Sequence, residues 1–208
     1  MGLPPSSSDD EPILVLDTSV VINLNATGYA EQILRALPHR VVVTDTVACE
    51  LESGRPKGRQ DAAKLAQLVK ADLVSMVKLS EQGLLHFERL VIGAATETLD
   101  DGEAATIAHA LEANACAVVD ERKALRLCAA RFPQVSLGCT VDLLAHDAVQ
   151  SALGLQRLAD AVHGALSDAR MRVLPHHVDW TVALIGDARA SDCTCLPDVI
   201  RRQAFARL

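Results

Sequence analysis

Four carboxylates carry the chemistry that this sequence offers: Asp17, Glu50, Glu103 and Asp120. Asp17 closes the apolar run Leu14-Val-Leu-Asp, and Asp120 closes Ala117-Val-Val-Asp. Glu50 lies in Val47-Ala-Cys-Glu-Leu and Glu103 in Asp101-Gly-Glu-Ala-Ala. Taken singly, each is accounted for by a helix cap or a solvated surface. Together they imply a cation, because gathered carboxylates repel one another and lose solvation, which favours their neutral forms. Hard divalent cations such as Mg²⁺ or Mn²⁺ select oxygen ligands. Two such ions can activate water against a phosphodiester and neutralise its leaving oxygen.

The elements that must position these acids follow from short apolar runs alternating with helical patterns. Strands are expected at 12–16, 40–44, 72–77, 115–119 and 135–137, and helices at 30–37, 47–51, 61–69, 81–91, 99–113, 121–131 and 141–152. Asp61 is the expected cap of its helix. Strands too short to alternate, with helices between them, indicate a parallel sheet covered on both faces. In such sheets ligands sit beyond the carboxyl ends of the strands, where Asp17 and Asp120 both fall. Residues 153–208 show helical pattern only, at 155–170 and 177–185, and then an irregular tail.

Rival α/β chemistries lack their motifs. There is no Gly-x-Gly-x-x-Gly after the first strand, no Gly-x-x-x-x-Gly-Lys-Ser/Thr and no Gly-x-Ser-x-Gly elbow. A phosphatase of the haloacid-dehalogenase type wants a second Asp two residues after its nucleophile, and position 19 is Ser.

The segments 13–23, 47–51, 101–111 and 118–126, in that order, resemble the PIN-domain nucleases. The Gly-Glu-Ala and Asp-Glu-Arg segments are most similar to the bacterial and archaeal VapC-like branch. The resemblance implies a three-layer α/β/α fold with a central parallel sheet of about five strands, plus a helical C-terminal extension. It spans a nuclease domain at 12–150; the Pro-, Ser- and acid-rich residues 1–11 are expected to form a disordered leader, and 151–208 a helical extension with a tail. It also implies that Asp17, Glu50, Glu103 and Asp120 bind Mg²⁺ or Mn²⁺, and that Ser19 orients the first carboxylate or a metal-bound water. The third acid is often Asp in the wider family, so Asp100 and Asp101 compete with Glu103, and Glu121 is an accessory candidate beside Asp120. The implied activity is metal-dependent ribonuclease cleavage leaving a 5′-phosphate. The implied setting is a toxin restrained by a small antitoxin protein, with homodimerisation as a family habit. A non-catalytic scaffold binding RNA or a protein, and a DNA-directed defence nuclease, are the alternatives.

Two basic clusters flank the acids: Arg55, Lys57 and Arg59 in a Gly/Pro loop, and Arg122, Lys123 and Arg126 after Asp120. They are expected to hold phosphates, against the alternative of solvated surface charge. Arg201, Arg202 and Arg207 read as part of a frayed tail. The adjacent His176 and His177 are expected to point apart and to cap or face solvent. Trp180 reads as core, and Cys49, Cys116, Cys128 and Cys139 as small buried hydrophobes.

Composition bounds the rest. The 208 residues are 50% hydrophobic with a net charge of −7, enough apolar content for a core and no general basic coat. Three Phe, one Tyr and one Trp leave little capacity for base stacking. No apolar run approaches the ~20 residues of a membrane span. The acidic, Pro- and Ser-rich N-terminus is no secretory signal, so free thiols and a cytoplasmic location are expected.

Overall fold

The computed structural model describes residues 3, 12–54 and 58–207. Leu3 apart, the expected leader 1–11 lies outside the described residues, as do Arg55 and Lys57. In chain order the first elements are β1 (Ile13–Leu16), α1 (Thr18–Ala26), α2 (Ala30–Ala36), β2 (Arg40–Thr44) and α3 (Asp45–Ser53). There follow α4 (Asp61–Lys70), β3 (Ser75–Val77), α5 (Glu81–Val91), α6 (Asp101–Glu112), β4 (Cys116–Val118), α7 (Arg122–Arg131) and β5 (Ser136–Gly138). The remainder is α8 (Thr140–Leu144), α9 (Asp147–Asp168), a 3₁₀ turn (Pro175–His177), α10 (Val178–Ile185), α11 (Asp187–Asp192) and α12 (Asp198–Phe205).

The five strands form one all-parallel sheet in the order β3-β2-β1-β4-β5. Leu14, Val15 and Leu16 of β1, Val42 and Val43 of β2, and all of β4 are buried, as a sheet covered on both faces requires. The strand order reverses between β1 and β4, which pair from Leu14↔Cys116 to Leu16↔Val118. That reversal opens a crevice at the carboxyl ends of these two strands. Asp17 follows the one and Asp120 the other. Helix α6 packs against β1, β2 and β4 through a small-residue face that includes Ala104, Ile107 and Ala108, all fully buried.

The described chain forms two compact units, Met1–Val21 with Pro38–Cys139, and Ile22–Leu37 with Thr140–Leu208. The first contains the whole sheet. In the second, α9 packs on α2, α8 and α10.

Several local expectations are corrected. The sequence reading has no helix at 18–26, where Val20, Val21 and Ile22 form a β-branched run, yet α1 forms there. The strand expected at 72–77 starts only at Ser75, because Asp72 (φ 58°) belongs to the left-handed turn closing α4. Gln60, not Asp61, is the α4 N-cap. The helix expected at 141–152 is divided: α8 stops at Leu144, and His146 Nδ1 caps α9 by accepting from Ala148 N at 3.3 Å. Gly154 (φ 71°, ψ 163°) interrupts α9, matching the expected change of helix near 153–154. The expected irregular tail contains α11 and α12, and Arg201 there is paired with Asp198. His176 and His177 do not diverge: their ring centroids are 4.1 Å apart, and His177 Nε2 lies 3.0 Å from Asp142 Oδ1. Trp180 is half-buried, since Val178, Thr181 and Ile185 fill the buried side of α10. Cys49 is exposed, whereas Cys116, Cys128 and Cys139 are buried thiols as expected.

Candidate functional site

Asp17 is fixed at the end of β1 by its own backbone, whose N–H donates to Val118 O at 3.2 Å. The turn from β1 into α1 folds Ser19 back onto it. Asp17 Oδ2 accepts from Ser19 Oγ at 2.7 Å and from Ser19 N at 3.2 Å. The side chain is only 4% exposed. Burial pushes its carboxyl above the usual range, the Ser19 and Thr18 hydrogen bonds pull part of the way back, and the charge of Glu50 adds to the rise.

Glu50 arrives on α3, which follows β2 without a loop. Thr44 starts that helix as its N-cap, accepting from Val47 N at 3.3 Å. The Glu50 carboxylate is held at both oxygens. Thr18 Oγ1 donates to Oε2, and Gly102 N donates to Oε1 at 2.8 Å. Gly102 is the second residue of α6, so Glu50 also meets the positive end of that helix.

Glu103 is the third residue of α6 and forms a capping box with Asp100, whose N–H donates to Glu103 Oε2 at 3.4 Å. The capping role anticipated for single acids is therefore real here, and it coexists with burial. Desolvation and then the charge of Asp17 push the Glu103 carboxyl up to about 7, the Asp100 N–H offsets part of this, and the charges of Asp100 and Glu121 add to it. Asp100 and Asp101 are both exposed, whereas Glu103 is buried beside Asp17. Asp120 is 4% exposed just beyond β4, and Glu121 is half-buried as the residue preceding α7.

Asp17, Glu50 and Glu103 thus belong to one electrostatically coupled cluster, with Asp120 on the adjacent strand end. Among the described residues, no three of these four acids bring ligand oxygens all within 4.8 Å of one another. Of the basic candidates, Arg59, Arg122 and Arg126 are exposed and Lys123 is half-buried. The structural partners that the sequence reading passed over are Thr18 and Gly102. Their signals were a second hydroxyl after Asp17 and a glycine inside a helix start.

The domain family DUF3368, described as a PIN domain, matches residues 13–179. The chain belongs to the PIN-domain family, and its parallel α/β sheet is PIN-like. Among solved structures it is similar to a chain of VapBC2 from Rickettsia felis, a crystal structure bound to a DNA fragment from their promoter. That match has 19% identity and a TM-score of 0.43, covering 61% of this chain and 98% of the other. No curated protein matches the sequence. Among the described residues, no helix is long and apolar enough to cross a membrane.

Proposed function

We propose that this chain is a metal-dependent ribonuclease that hydrolyses phosphodiester bonds at the carboxyl end of β1 and β4. The observation that carries the reading is the pair Asp17 and Glu103, two buried carboxyls raised together where the strand order reverses. Desolvating two neighbouring acids costs the fold stability, and a nearby cation converts that cost into binding. The donor set, carboxylate oxygens with a serine hydroxyl, fits Mg²⁺ or Mn²⁺. Asp17, Glu50, Glu103 and Asp120 would hold the metal, which when bound supplies an activated water and charge neutralisation at phosphorus.

The chain's own residues do the rest. Ser19 fixes the Asp17 carboxylate through Oδ2. Arg59, with Arg55 and Lys57 of the same loop, and Arg122, Lys123 and Arg126 of α7 hold the phosphates on either side. Scarce aromatic rings restrict recognition to the backbone and shape of the substrate. By the Gly-Glu-Ala and Asp-Glu-Arg resemblance, the setting is a cytoplasmic toxin that forms a homodimer and is restrained by a small antitoxin protein.

The second reading, a non-catalytic scaffold, is favoured by one observation: both Glu50 oxygens already have protein donors. End-labelled RNA and DNA, incubated with Mg²⁺, Mn²⁺ or EDTA, separate the readings. RNA cleavage that needs the cation and leaves 5′-phosphate supports the ribonuclease. Preference for DNA reassigns the substrate, and no cleavage of either with any cation favours the scaffold.

A further inference from the structure

The Glu50 carboxylate is gripped from two remote segments. Thr18, at the first position of α1, reaches it across a sequence separation of 32, and the Gly102 backbone across 52. The grip is bidentate, one donor per oxygen, so each oxygen keeps a second lone-pair direction for another partner. The geometry points to Thr18 as a positioning residue that, with the Gly102 N–H, aims Glu50 at the cluster. This rests on the metal-binding reading above.

Sterics give independent support. A Cβ placed on Gly102 would fall onto Glu50 Oε2 and come within 2.8 Å of Thr18 Oγ1. Glycine inside a helix costs about 1 kcal/mol against alanine. Gly102 is buried in an otherwise Ala-rich helix, so its place is set by the close approach of Glu50 and Thr18 and not by helix propensity. A merely tethering contact between α3 and α6 would need only the Gly102 N–H. The additional hydroxyl fixes the rotation of the carboxylate plane, which decides where its remaining lone pairs point. Thr18 and Ser19 then divide the labour: Ser19 orients Asp17 and Thr18 orients Glu50.

The test measures Mn²⁺ affinity of the full chain by calorimetry, alongside thermal stability and RNA cleavage as a function of Mn²⁺ concentration. Thr18→Val removes the hydroxyl at constant shape, and the expected loss is about tenfold in Mn²⁺ affinity, as for other partners that orient metal ligands. Cleavage is recovered largely by excess Mn²⁺. Thr18→Ser keeps the donor and retains affinity close to the parent. Gly102→Ala, whose Cβ would press on the same Oε2 and on Thr18 Oγ1, weakens Mn²⁺ binding likewise and carries the test should Thr18→Val not fold. A folded Thr18→Val chain with unchanged Mn²⁺ affinity overturns the positioning role and leaves the metal site standing. A parent chain that binds no Mn²⁺ overturns the metal site itself, and the positioning role with it.

Discussion

Glu103, on the first turn of α6, lies close enough to Asp17, at the end of β1, that burial and then the charge of Asp17 push its carboxyl up to about 7. The two come from segments far apart in the sequence and meet where the strand order reverses. Their mutual repulsion is a standing cost of the metal-free protein.

One consequence concerns stability against pH. Glu103 has a folded-state value of about 7 against an ordinary 4.5, and is 8% exposed. Below the ordinary value both folded and unfolded chains hold the proton. As pH rises from there to about 7 only the unfolded chain has released it, so stability falls across this window. Full ionisation of the buried group costs on the order of 3 kcal/mol. Metal-free Glu103→Gln should therefore melt several degrees above the parent at pH 8 and match it near pH 4, read by calorimetric melting at both.

Ser19→Ala removes the hydroxyl that donates to Asp17 Oδ2. That hydrogen bond counteracts the burial-driven rise of the Asp17 carboxyl. Without it the carboxylate ionises at higher pH. The acidic limb of the pH–rate profile for RNA cleavage should move upward, with the rate recovering towards the parent's at alkaline pH. A uniform loss at every pH contradicts the electrostatic role.

Exposed Arg122 and Arg126 form no ion pair among the described residues, so reversing their charge should leave melting unchanged. If they hold phosphates, Arg122→Glu with Arg126→Glu should weaken RNA binding and make the slope of log affinity against log salt shallower by about one to two. An unchanged slope removes them from the interface.

Thr44 is fully buried and caps α3, the helix that carries Glu50. Thr44→Val keeps the shape and abandons the Val47 N–H. Urea unfolding should show a loss of roughly 1–2 kcal/mol. Cleavage should persist under conditions where the variant remains folded.

What was legible in the sequence was what depends on neighbours in the chain. The strand ends that present Asp17 and Asp120 follow from short apolar runs. Helix α1 was hidden because Val20, Val21 and Ile22 favour a strand locally, and tertiary packing overrode that weak preference. Helices α11 and α12 are short, and α12 buries only Ala204, which leaves little periodic signal. The grip on Glu50 was out of reach for a different reason. Its donors lie 32 and 52 residues away, and one of them is a backbone N–H, whose position no residue type encodes.

The central claim is that the carboxylates at the ends of β1 and β4 bind a divalent cation and cleave RNA with it. Its most direct test is a paired measurement on Asp17→Asn, which keeps the shape and the Ser19 contact but removes the charge. Mn²⁺ affinity and Mn²⁺-dependent RNA cleavage are read on the same folded preparation. The account predicts that both fall by at least about a hundredfold relative to the parent. A variant that binds Mn²⁺ and cleaves RNA as the parent does would contradict it.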